Sequence, residues 1–189
     1  ARRQDAEGVD AASILHANAA GDFSGEQVLL DVNLLAAGKD YYSVGVYEVS
    51  RDNRMLAYAD DGNGRRQYSI HFIDLATGQP LPDVIEGVAP DLVWADDNRT
   101  LFYIENDPDT LLTVRVKKHV LGSDASHDPI VYEEADDSFY IGIERTRDDR
   151  YILIGVSSTV SDELRYAPAS DPQEFRILAT LRHPHIISV

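Results

Sequence analysis

The stretch SRDNRMLAYADD at residues 50 to 61 returns in altered form as ADDNRTLFYIEND at 95 to 107, and more faintly as RTRDDRYILIGVSS at 145 to 158. Each copy places a polar corner before an apolar run: Asp52-Asn53-Arg54, Asp97-Asn98-Arg99 and Asp148-Asp149-Arg150. Counted from Asp52 to Asp97 to Asp148, the corners stand 45 and 51 residues apart. Self-similarity at a fixed period constrains the fold strongly, because each unit must bury its faces on its neighbours. A unit of roughly 40 to 50 residues with four strands is a blade of a β-propeller.

The runs between the corners fit that plan. In the first unit VGVYEVS (44 to 50) and MLAYA (55 to 59) flank the corner, and Tyr68, Ile70 and Phe72 alternate with polar residues after the Asp61-Gly62-Asn63-Gly64 turn. The Pro-bearing PLPDVIEG (80 to 87) reads as an outer edge strand. The second unit gives DLVWA, TLFYIE, LLTVRVKKHVL and PIVYEE; the third gives FYIGIER, YILIGVS, ELRYAP and EFRILATL. The expected class is all-β, a partial propeller of about three four-stranded antiparallel blades plus part of a preceding one.

The expected divisions are a loop insertion or weakly ordered lead-in at 1–26, an outer strand (QVLLDV) and helical turn of a preceding blade at 27–41, blades at 42–88, 89–137 and 138–181, and the start of another at 182–189. The turn would be capped by Asn33 and closed by Gly38. Both ends are expected to be cut through blades, with no α/β-hydrolase domain in the chain. An open arc leaves blade edges uncovered, so self-association through those edges is a further expectation.

The sequence holds 33 Asp and Glu against 17 Lys and Arg, a net charge of −16, which argues against nucleic acid as a partner. Such a surface favours cationic partners. No apolar run approaches the roughly 18 to 20 residues of a membrane span, so no membrane partner is expected. The absence of cysteine excludes disulfides and thiolate metal sites and suits a cytoplasmic location.

Catalytic, metal and cofactor motifs are missing. No G-x-S-x-G elbow occurs, and Ser24 in GDFSG lacks its spacing. His183 and His185 form an H-x-H pair without a third ligand at supporting distance, while His71 and His119 sit in strand patterns as packed or solvated residues. Asp60, Asp61 and Asn63 open like a calcium loop but lack its glycine spacing and closing Glu. Four residues are candidates for inter-domain or peptide-attracting contacts: Arg65 and Arg66 beside the second turn, and Glu133 and Glu134 in the densest acidic cluster.

Several long stretches resemble the propeller of the oligopeptidase B (protease II) group within the prolyl oligopeptidase family of serine peptidases. They are LLDVN (29 to 33), KDYYSVG (39 to 45), GRRQYSIHFIDLATG (64 to 78), VWADDNRTLFY (93 to 103), DPDTLL (107 to 112) and IVYEEADDSFYIGI (130 to 143). Thr113 departs from the family pattern, standing where Pro is usual. The resemblance implies a propeller capping an α/β-hydrolase domain, the pair cleaving short basic peptides after Arg or Lys with a Ser-His-Asp triad that lies outside these residues. The propeller's implied part is to cover the site and exclude large substrates. The competing expectations are a propeller-type interaction module without peptidase activity and a free-standing small β protein.

Overall fold

The computed structural model describes residues 2–3 and 26–182. It divides into two compact units, Ala1–Ala37 and Gly38–Val189. The expectations for the lead-in, Ser24, His183 and His185 fall outside the described residues.

In the first unit, β1 (Arg2–Arg3) pairs antiparallel with β2 (Glu26–Gln27), and helix α1 spans Val32–Ala36. The strand expected at 27–32 therefore stops at Gln27. Val28, the next residue, is exposed. Asp31 caps the helix in place of the expected Asn33, its Oδ1 accepting from the backbone N–H of Asn33 at 3.0 Å and of Leu34 at 3.1 Å.

The second unit is built from antiparallel strands: β3 (Ser43–Val49), β4 (Met55–Asp61), β5 (Tyr68–Asp74), β6 (Gln79–Trp94), β7 (Thr100–Asn106), β8 (Thr113–Val120) and β9 (Ile130–Glu133) form one sheet in that order. A second sheet holds β10 (Tyr140–Arg145), β11 (Tyr151–Ser157), β12 (Ser161–Pro168) and β13 (Arg176–Arg182).

The seven-stranded sheet is two blades sharing β6. The two strands expected at 80–87 and 91–95 are one element of 16 residues. Its first part pairs with β5 and its last part with β7, with Val88 facing both Tyr68 and Glu105. Its direction reverses where the partner changes, beside Gly87, whose φ of 73° suits glycine.

The repeated corners are one structure made three times. Asn53, Asn98 and Asp149 occupy the same position and have φ of 59°, 57° and 60°, a region Asn and Asp enter at least cost. The turns close alike: Asn53 N–H donates to Ser50 O, Asn98 N–H to Ala95 O and Asp149 N–H to Thr146 O. The preceding Asp52, Asp97 and Asp148 carboxylates accept from the backbone N–H of Arg54, Arg99 and Arg150. The sequence repeats because the backbone demands it.

Alternation along the middle blade explains its uninterrupted apolar runs. Leu92, Trp94, Leu101 and Tyr103 pack toward the first blade with Ile70, Phe72 and Ile85. Val93, Ala95, Phe102 and Ile104 pack toward the last blade with Ile141, Ile143, Ile152 and Ile154. A strand covered on both faces has no polar side to show. Thr113 adds a tie between these blades, its Oγ1 accepting from Ile141 N–H at 3.0 Å, which Pro could not do.

Candidate functional site

The innermost strands of the three blades are β3, the end of β6 and β10, and together they line a cavity of about 650 Å³. Val46 and Glu48 reach this wall from one face of β3, and Asp91, Trp94, Glu144 and Arg145 line it from β6 and β10.

Arg145 ties the wall together. Its guanidinium donates to Trp94 O at 2.7 Å, to Asp149 O at 2.8 Å and to the Asp96 carboxylate. Arg51 lies 3.7 Å from Asp96 and 3.4 Å from Asp149, and Arg145 Nε is 3.5 Å from the Asp149 carboxylate. Two arginines and two aspartates thus alternate around a ring contributed by all three corners. Asp52 N–H donates to Asn98 Oδ1 at 3.0 Å, and the Trp94 indole N–H to Glu48 O at 3.1 Å, joining the first two blades. Planar guanidinium groups suit this work, because they donate in several fixed directions at once.

Carboxylates on the wall feel the loss of water. Desolvation raises the pKa of Asp91, and it raises that of Glu48 against the pull of the Arg145 charge. Glu48, Asp91 and Glu144 give the wall its carboxyl groups, while its cations, Arg51 and Arg145, are engaged in the corner ring.

Arg65, Arg66, Glu133 and Glu134 lie at the opposite end of the blades from the corners. Arg65 and Arg66 are exposed on the β4–β5 turn, which the buried Asp61 organises by accepting from the N–H of Asn63, Gly64 and Arg66 at 2.8 to 2.9 Å. That role is the turn reading of Asp61. Glu133 pairs with Arg115 at 2.6 Å, and Arg115 also holds Glu105. Glu134 accepts from the Tyr132 hydroxyl at 2.7 Å and from Asp136 N–H. The structure does not bring the two pairs together, and both glutamates are engaged within their own blade.

No catalytic triad forms among the described residues. Ser126 Oγ and the Asp124 carboxylate both approach His127, but on the same Nδ1, at 3.1 and 3.4 Å, so the ring cannot relay a proton between them. Nor does any group of three His, Asp or Glu among the described residues converge as metal ligands. Sequence reasoning missed Arg145 and Asp96; their only signal was the corner repeat beside them.

Residues 3–187 match the family model for the prolyl oligopeptidase N-terminal β-propeller domain. The chain is 66% identical to the dipeptidyl aminopeptidase BI of Pseudoxanthomonas mexicana, over 95% of this chain and 25% of that protein. It is 32% identical to protease 2 of Moraxella lacunata, over 78% of this chain and 21% of that protein. Oligopeptidase B from Leishmania major superposes with a TM-score of 0.81 at 27% identity, covering 86% of this chain and 23% of that one. The chain thus spans about a quarter of the length of the relatives it matches. With the blades and the matched model in agreement, the chain belongs to the prolyl oligopeptidase family, within its N-terminal β-propeller domain.

Proposed function

We propose that these residues are the non-catalytic cover of a serine peptidase that acts on short peptides, partnered by an α/β-hydrolase domain. The family match is the observation that supports this reading. The cover excludes folded proteins, because a chain reaching the enclosed site has to be thin and flexible. The acidic axial wall supports the part of the reading that concerns basic substrates, since carboxylates raise the local concentration of cationic peptides.

Two cleavage modes fit a peptidase of this family. Cleavage after Arg or Lys follows from the resemblance to oligopeptidase B. Release of dipeptides from a free N-terminus is favoured by a specific observation, the 66% identity to a protein named dipeptidyl aminopeptidase BI. A free α-ammonium is also a cation that an acidic wall would attract.

The test uses the protein extended to the length of its relatives. It is assayed with a blocked fluorogenic peptide ending in Arg, with a free-amine dipeptide conjugate, and with a length series of each. Turnover that falls steeply as peptides lengthen supports the cover. Equal turnover of a folded protein and a short peptide contradicts it, and a serine-reactive inhibitor without effect contradicts the peptidase assignment. An interaction module without peptidase activity predicts no turnover of any substrate.

A further inference from the structure

Away from the axial wall, a buried polar cluster joins the outer parts of two blades. His119 of β8 is 1% exposed at its side chain, and the carboxylates around it, Asp83 and Asp128, are 5% and 3% exposed. Nδ1 lies 3.0 Å from both oxygens of Asp128, and Nε2 lies 3.1 Å from Asp83 Oδ1. Asp83 belongs to the part of β6 that closes the first blade, whereas Asp128 leads into β9 of the second.

A neutral imidazole has one N–H donor and one lone pair. With a carboxylate at each nitrogen, a neutral ring would set its lone pair against an anion. Each carboxylate also accepts from another donor. The Tyr103 hydroxyl donates to Asp128 at 3.1 Å and Gly122 N–H donates to Asp83 at 2.6 Å. An imidazolium donates to both carboxylates at once and leaves those bonds in place.

We propose that His119 is an imidazolium clasp between the first two blades, and that loss of its proton frees the 121–129 connection from Asp83. The groups around it come from every packed element. Phe72 of β5 stacks on the ring at 5.8 Å and carries no charge. Asp83 and Glu86 of β6, Tyr103 and Glu105 of β7, Lys117 of β8 and Asp124 of the connection line the adjoining cavity of about 620 Å³. Lys117 is paired with Glu105 at 3.2 Å, so it does not answer the charge on Asp83. Burial opposes the imidazolium, but the carboxylates of Asp128 and Asp83 outweigh it and hold the ring above its ordinary value. A raised folded value means that the clasp's contribution is complete below the ordinary histidine value of 6.5 and is lost as pH rises through the folded one. Asp83 also lines a second cavity with Leu121 and Gly122, so the connection has open space to move into.

The test is nitrogen-15 NMR of the imidazole rings in the full chain from about pH 5 to about pH 9, with the urea-unfolded chain as reference. The expected result is a His119 ring protonated at both nitrogens that titrates at higher pH than in the unfolded chain. Amide exchange at Gly122, corrected for hydroxide concentration, should rise about tenfold or more across that titration. Asp83→Asn keeps an oxygen for Gly122 N–H but removes the charge, and should lower the titration by about one pH unit. A His119 that is neutral where the unfolded ring is still half protonated would overturn the proposal, as would Gly122 exchange that stays flat through the titration. If Asp83→Asn does not fold, these two readings of the unaltered chain still decide.

Discussion

The indole N–H of Trp94 donates to the backbone oxygen of Glu48 across 3.1 Å, joining the innermost strands of two neighbouring blades. Trp94 is 3% exposed and meets Phe72 edge to face. Trp94→Phe keeps most of the packing but leaves the Glu48 carbonyl without this donor, so a loss of about 1 to 3 kcal/mol is expected. Urea unfolding followed by circular dichroism measures it. A midpoint equal to that of the unaltered chain would remove the contact from the account.

Arg145 is expected to be the least replaceable residue of the axial ring. Lysine keeps the charge but cannot reach Trp94 O, Asp149 O and Asp96 together. Arg145→Lys and Arg145→Met should therefore both destabilise, by about 2 to 4 kcal/mol, with lysine recovering less than half. Full recovery by lysine would mean that charge alone matters at this site.

Gly45 is needed for a close approach of side chains. A Cβ there would stand 2.5 Å from Tyr68 Cε1 and 2.7 Å from Pro90 Cβ, and the proline ring cannot rotate away. Gly45→Ala is expected to cost about 1 to 3 kcal/mol through this overpacking, with the far-ultraviolet spectrum retained. A neutral or stabilising alanine would contradict the packing of β3 against β6.

Acid should loosen the turns before the core. Burial opposes ionisation of Asp61, but the backbone N–H groups of Asn63, Arg66 and Gly64 outweigh it and hold its pKa below the ordinary 3.8. Asp97 is lowered in the same way through Thr100 and Arg99. A lowered folded value gives stability that is present above the unfolded value and lost as pH falls through the folded one. Stability is therefore expected to drop below about pH 4, and Asp61→Asn should flatten that limb while costing about 1 kcal/mol at neutral pH. An unchanged acid limb in Asp61→Asn would place the sensitivity elsewhere.

Much of the blade plan was legible because it rests on local chemistry. Positive φ at Asn53, Asn98 and Asp149 left a readable corner, and alternation of buried and half-buried positions in β11 left a readable strand. The continuous β6 was harder. It read as two strands, 80–87 and 91–95, whereas one strand runs on past Gly87 and exchanges partners at Val88. Asp31 replaced Asn33 as the cap because both residue types suit the role and only backbone geometry separates them. The site was less legible still. His119 looked like an ordinary strand residue, since its partners lie 36 and 9 positions away, and sequence periodicity carries no record of such pairings. Arg145 was hidden for the same reason, with Trp94 and Asp96 brought to it by blade stacking alone.

The central claim, that these residues cover a peptidase site without forming one, is tested most directly on the purified 189-residue chain. Its intact mass is confirmed near 21.0 kDa, and it is then given the Arg-ending peptide and the free-amine dipeptide conjugate. The account predicts no turnover of either substrate by the chain, and turnover by the protein extended to the length of its relatives. Inhibitor-sensitive cleavage by the pure chain would contradict it.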